Sequence, residues 1–140
     1  MRKFSPLILS FLLIVSGCGQ RQAASINQQD DLEVITQAYH NKQSHLFVQA
    51  RGFVRRILPD NFEGSHHQRF IVKLANGQTL LIVHNIDVAP RINDLKVGGQ
   101  VYFRGEYQWN DRGGMVHKTH HDPSGRAIGG WIEHNGKRYE

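Results

Sequence analysis

The order of extended and helical segments predicts an all-β domain with short helices, a five-stranded barrel preceded by one N-terminal helix. Three observations carry this. From Leu46 onward apolar residues recur at every second position in most segments, the period of a half-buried strand. Gly52 and Gly105 fall in mid-strand, where a curling sheet needs a bend or a close backbone approach. Two Asn-Gly pairs, Asn76-Gly77 and Asn135-Gly136, stand between extended runs, where hairpins turn.

The elements follow in order. "DDLEVITQAYHN" offers Asp30 or Asp31 as an N-cap and sets Leu32, Ile35, Ala38 and Tyr39 at helical spacing, so one short amphipathic helix ends near Asn41. "LFVQARGFVRRIL" alternates, with Val48, Ala50, Gly52 and Val54 on one face. "PDNFEGSHH" is a loop. "RFIVKLA" and "QTLLIVH" flank Asn76-Gly77, and a two-residue type I′ turn there sets Ala75 opposite Gln78, Val72 opposite Leu81 and Arg69 opposite His84. That register buries Phe70, Val72, Leu74, Leu81 and Val83. It leaves Ile71 and Ile82 beside Arg69, Lys73 and His84 on a partly wet face.

"NIDVAPRINDL" is interrupted by Pro90 and reads as one or two helical turns. "QVYFRGEYQW" turns Val101, Phe103, Gly105 and Tyr107 inward, "NDRGG" is a loop, and "MVHKTH" is the fifth strand. "WIEHNGKRY" closes the chain as a short hairpin, pairing Ile132 with Tyr139, Glu133 with Arg138 and His134 with Lys137. Three strands, a short helix and two strands resemble the five-stranded OB barrel.

The start of the chain belongs to a different class of segment. Arg2 and Lys3 precede an apolar run to Val15, and then comes Val15-Ser16-Gly17-Cys18. This is the pattern of a secretory signal, and the run is shorter than the roughly 20 residues that span a bilayer. Small residues leading into a cysteine resemble the lipobox of bacterial lipoproteins. The resemblance implies cleavage before Cys18, lipid on its sulfur and acylation of the new amino terminus. Gly19, where an aspartate would signal inner-membrane retention, favours the outer membrane, with the protein facing the periplasm. "GQRQAASINQQDD" is polar and reads as a tether. The chain thus divides into a signal peptide at 1–17, a lipidated polar tether at 18–31 and a single OB-like domain at 32–140. Cys18 is the one cysteine in the sequence, so packing and not a disulfide within the monomer must hold the fold.

Loss of Arg2 and Lys3 leaves 15 basic and 12 acidic residues, a net charge of +3. All nine histidines lie beyond the cut, and imidazole titrates near 6.5, so acid moves the charge from +3 toward +12. The OB resemblance brings in single-stranded nucleic acid as a partner, through stacking on Phe53, Tyr102, Tyr107 or Trp109, to which a charge of +3 lends modest support.

"HQRFIVKLANGQTLLIVHNIDVAPRI", "GGMVHKTHHDP" and "GWIEHNGKRY" together resemble a bacterial family of small uncharacterised proteins, the domain of unknown function 3465. The likeness runs from about Gln49 to Tyr139. It implies no activity and carries over no catalytic residue.

Two polar clusters are candidate sites. "HKTHHDP" supplies His117, His121 and Asp122 as catalytic candidates, with a histidine and Asp122 as an acid/base pair. His117, His120, His121, Asp122 and His134 are candidate zinc ligands. On a straight strand His117 and His121 stand about 13 Å apart, too far to share an ion with bonds of about 2 Å, so a metal needs a turn at His120. The alternative reading is a strand end whose Asp122-Pro123 starts a turn. The second cluster, His66, His67, Arg69 and His84, would form an anion-receptive patch over the second and third strands. The sequence thus describes a lipid-anchored cell-envelope protein whose barrel is a ligand-binding or accessory module. The alternative is a metal-dependent hydrolase or nuclease built on "HKTHHDP".

Overall fold

A computed structural model describes residues 29–140. Cys18, the signal peptide and most of the tether lie outside the described residues. The helix forms where its spacing places it: α1 spans Leu32–His40 and buries Ile35 and Ala38. Asp31 occupies the N-cap position without a side-chain cap bond. Its carboxylate accepts instead from the Gln49 amide at 2.9 Å, while its own N–H donates to Gln49 O at 2.8 Å. The residue before the helix therefore ties α1 to the first strand.

The strands are β1 (Leu46–Asn61), β2 (His67–Leu74), β3 (Thr79–Asn85), β4 (Gln100–Gln108), β5 (Met115–His117), β6 (Trp131–His134) and β7 (Lys137–Tyr139). The first five close a ring in the order β1-β2-β3-β5-β4, with β4 back on β1. Only β3 and β5 run parallel. The result is the five-stranded OB-like ring, not evenly barrel-shaped. Closure depends on β1, which pairs with β4 from Leu46 to Phe53 and with β2 from Gly52 to Asn61. Gly52 belongs to both ladders. A Cβ there would stand 3.1 Å from Lys73 O and from Val72 Cβ, so the bend falls where a side chain has least room.

The alternation of β1 and β4 is as the sequence predicts. Val48, Ala50 and Val54 share the inner face with Val101, Phe103 and Tyr107 of the neighbouring strand, and all six are buried. The described core runs from Ile35 to Tyr139, so residues 29–140 enclose their own apolar interior. Burial of that kind is the main term that holds such a fold. The terminal hairpin also forms as expected, with Ile132↔Tyr139, Glu133↔Arg138 and His134↔Lys137. It extends the sheet from β4 through Phe103↔Ile132.

Three expectations are corrected. The β2–β3 register is one residue away from the predicted one: Val72 pairs with Leu80, Phe70 with Ile82 and Gln68 with His84. The turn holds three residues, Ala75 to Gly77, closed by Leu74 N–H to Gln78 O at 2.9 Å and Gly77 N–H to Leu74 O at 3.0 Å. A one-residue slip exchanges the two faces of a strand. Leu80, Ile82 and His84 are consequently the buried set, and Leu81 and Val83 face outward, partly covered.

Secondly, residues 86–99 form turns and no helix. Gln68 takes both backbone groups of Ile92, donating to its O at 2.8 Å and accepting from its N–H at 2.9 Å. Those groups are then not available to a helical ladder. Thirdly, β5 stops at His117 and does not continue through "KTH".

Candidate functional site

β5 ends because Lys118 has φ +52°, a left-handed conformation that breaks strand alternation. His117 and Lys118 consequently reach the same outer group, Glu106, while Thr119 turns into the core and is fully buried. The expected turn at His120 occurs two residues earlier. Gly105 makes it fit, since a Cβ at that position would lie 2.4 Å from His117 O and 2.9 Å from Thr119 Cγ2.

Glu106 is the centre of the outer cluster. It is nearly buried on the outer wall of β4, at 8% exposure. Its Oε2 accepts from Lys118 Nζ at 2.9 Å, and its Oε1 lies 3.1 Å from His117 Nε2 and 3.3 Å from His45 Nδ1. His45 has φ +67°. Two of the four non-glycine residues with positive φ among those described thus present their side chains to one carboxylate. Such conformations cost on the order of 1–2 kcal/mol each and gather at functional sites. Burial pushes the Glu106 carboxyl up, but hydrogen bonds from Lys118, His117, His45 and Gln108 outweigh it and hold the pKa at about 2.

A cleft of about 500 Å³ opens beside this cluster. Its origin is the short β3–β5 ladder, which holds only Leu81↔Met115 and Ile82↔Val116. Past that point Val83 and Asn85 have no partner strand on the β5 side, and the β5–β6 loop, 118–130, forms the facing wall. Gly130 N–H closes the neck of the loop on His120 O at 2.7 Å. A Cβ on Gly130 would meet Lys118 O at 2.2 Å and Arg104 O at 2.3 Å, so the neck admits only glycine. Asp122 organises the loop tip, accepting from the Ser124 hydroxyl at 2.6 Å, Ala127 N–H at 2.8 Å, Arg126 N–H at 2.9 Å and Ser124 N–H at 3.1 Å. The Ser124 hydroxyl first, then these amides, hold its pKa at about 2.

On the inner side of the same wall, His84 is fully buried. Its Nε2–H donates to Pro90 O at 3.0 Å, and its Nδ1 accepts from the Thr119 hydroxyl at 2.8 Å. A carbonyl can only accept, which sets this neutral tautomer. Burial pulls the His84 pKa from 6.5 to about 4, against the opposing pull of the Pro90 carbonyl.

The predicted site residues divide accordingly. His117, His120 and Asp122 line the cleft, and so does His67. His121 is exposed, its carbonyl accepting from His120 Nδ1 at 2.6 Å. His134 lies elsewhere, donating through Nδ1 to Gln100 O at 2.9 Å. The proposed zinc ligands His117, His120, His121, Asp122 and His134 do not converge. Among the described residues no three His, Cys, Asp or Glu side chains are grouped to hold a metal ion.

The predicted anion patch also disperses. His84 is inside the barrel, Arg69 donates twice to Pro59 O, and His66 pairs with Asp87 at 3.0 Å. Of the predicted stacking aromatics, Tyr107 and Tyr102 are buried.

Sequence reasoning missed Glu106, His45, Lys118, Thr119 and Gln68. The one signal available for Glu106 is its place as a carboxylate in the alternating run "VYFRGEYQ". Nothing in the sequence brings His45 to it, 61 residues away.

Fold and site together define a small OB-like β-barrel with a polar, histidine-rich cleft against its outer wall. The chain belongs to the family described as "Protein of unknown function (DUF3465)", whose sequence model matches residues 19–140. No curated protein matches the chain.

Proposed function

We propose that this is a lipid-anchored, ligand-binding module of the bacterial cell envelope, and that the cleft beside Glu106 is its ligand site. Anchoring rests on the small residues that lead into Cys18. Two acyl chains there would hold the protein stably, since each buried methylene contributes about 0.8 kcal/mol. Residues 18–31 serve as tether and 32–140 as the single domain, at the outer membrane facing the periplasm. One observation carries the binding reading: a nearly buried carboxylate held by Lys118, His117 and His45 at the edge of an open cleft.

Binding is favoured over proton transfer. A general base works best with a pKa near the operating pH, and both carboxylates lining the cleft, Glu106 and Asp122, are held at about 2. The described lining includes no serine, threonine or cysteine to act as a nucleophile. The test is native mass spectrometry of residues 19–140 secreted to the periplasm. A small molecule should copurify with the wild type and be lost from Glu106→Gln, and Cys18→Ser in the full chain should leave the membrane fraction. Bare protein in both spectra would count against the ligand site, and unchanged fractionation of Cys18→Ser against the anchor.

A further inference from the structure

Resting on that reading of the cleft, we infer the class of ligand: an anion with an apolar body, its head a carboxylate or phosphate monoester. The reason is the balance of donors and acceptors left over in the cleft. Both lining carboxylates are used up inside the protein. Glu106 is taken by Lys118, His117 and His45, and Asp122 by the Ser124 hydroxyl and three loop amides. The groups that remain are donors. Lys118 Nζ spends one of its hydrogens on Glu106 and has no acceptor function. Asn85 Oδ1 accepts from Asp87 N–H at 2.9 Å, which leaves its amide NH2 to donate.

His67 extends the same pattern. His67 makes no side-chain hydrogen bond among the described residues and lines the wall opposite Lys118. His120 spends Nδ1–H on His121 O and keeps Nε2. A neutral His67 ring adds one N–H, so the unspent donors outnumber His120 Nε2, which accepts once its Nδ1–H is spent. A ligand that satisfies these groups must bring acceptors, and charge-assisted bonds to an anion are the strongest it can make.

The apolar part of the ligand is set by the mouth. Ile128 is 75% exposed and Phe47 39%, and both line the cleft with Val83 and Ala127. Side chains of that size left open to water gain from an apolar cover at about 25 cal/mol per Å². The volume of about 500 Å³ is within the range of small-molecule sites. A bare phosphate or acetate would leave this strip wet, and an alkyl or aryl body would cover it.

The experiment is an amide-resolved NMR titration of 15N-labelled residues 19–140, which include the whole described core. The probes are decanoate, decyl phosphate, decylamine and decanol, each below its micellar concentration, with acetate and inorganic phosphate as head groups alone. Decanoate or decyl phosphate should move the amides of Val83, Asn85, Lys118 and Ile128, at least tenfold more tightly than decylamine, decanol or either bare head group. Either anion leading supports the inference and names its head. Lys118→Gln should weaken the better anion about tenfold without changing decanol. His67→Ala, which breaks no bond to Glu106, provides a second variant if Lys118→Gln lowers the melting temperature. Decylamine or decanol binding in the cleft as tightly as the anions would overturn the ligand class and leave the cleft a binding site. No probe moving those amides would overturn the site as well.

Discussion

At Asn135-Gly136 both turn residues have positive φ, +48° and +74°, and His134 pairs with Lys137 across a two-residue loop. At Asn76-Gly77 only the glycine does, at +88°, and the loop holds three residues between Leu74 and Gln78. The first geometry is the type I′ turn that Asn-Gly favours, and the second is the three-residue form with a glycine bulge. The same dipeptide makes both because its neighbours differ. Asn76 donates from Nδ2 to Thr36 Oγ1 on α1 at 2.9 Å and accepts from Gln78 N–H at 3.0 Å. Among the described residues Asn135 reaches only Asp94, on a surface loop. Asn-Gly therefore specifies that the chain turns, and long-range partners specify over how many residues.

That one residue decides the character of the interior. Leu80 to Val83 is apolar throughout, so either parity of β3 offers two large apolar groups to the core. What distinguishes the two is His84. In the observed parity it faces inward, between Thr119 and Pro90; in the other it would be on the surface beside Arg69.

The largest expected effect follows from this. His84→Ala should cost about 3 kcal/mol, from the cavity and from the hydroxyl and carbonyl it leaves unpaired. Wild-type stability should also fall with acid. The folded pKa of His84, about 4, lies below its ordinary 6.5, so between those values the unfolded chain takes up a proton that the folded chain refuses. The stabilisation is complete above pH 6.5 and is lost as pH falls toward 4, about 3 kcal/mol in all. Gln68 and the neutral Thr119 and Pro90 groups face the ring, and the coulombic effects of His120 and His67 push its pKa the same way as burial. Urea titrations from pH 7.5 to 4.5 check this: His84→Gln should remove most of the slope, and parallel curves would place the acid sensitivity elsewhere.

A middle-sized effect separates the turns from the interior. A Cβ on Gly77 or on Gly136 meets nothing within 4 Å, so substitution there tests backbone conformation alone. Gly77→Val and Gly136→Val should each cost about 1–2 kcal/mol, and the alanine variants less, because a β-branched residue tolerates positive φ worst. Thermal melts of the four variants read the order; valine and alanine melting alike at Gly77 would remove the positive-φ requirement.

The smallest effect is the most specific to the register. Deleting Ala75 leaves Leu74 and Gln78 to close a two-residue Asn-Gly loop, the form already used at Asn135-Gly136, with β3 in its observed parity. The melting temperature should then change by only a few degrees, since type I′ is a favoured hairpin turn. Had Ala75 paired with Gln78, the same deletion would force a slip and expose the β3 core face, so a collapse of cooperative melting would refute the observed register.

The parts of the fold legible in the sequence are those with one polar face. Val48, Ala50 and Val54 alternate with polar or exposed residues in β1, Val101, Phe103 and Tyr107 recur at period two in β4, and α1 repeats Leu32, Ile35 and Ala38 at helical period. The site was legible only at His117, His120, Asp122 and His67, as polar residues near strand ends. Glu106 and His45 were not, because they meet through the β1–β4 ladder, in which Leu46 pairs with Tyr107, and proximity of that kind leaves no local pattern. Asp122 was legible in its quieter role, a carboxylate before proline that gathers loop amides.

The sequence by itself determined that this chain is a small β-barrel entered by a helix, because period-two and period-3.6 patterns are written in neighbouring residues. The tertiary structure alone decided which way β3 and Lys118-Thr119 face. At both places the local sequence is compatible with either parity: four apolar residues in a row in one, a lysine able to adopt a left-handed turn in the other. Only groups supplied by other segments, Pro90 O for His84 inside the barrel and the nearly buried Glu106 for Lys118 on its outer wall, make one parity lower in free energy, because a buried donor or acceptor left without a partner costs more than the choice of turn.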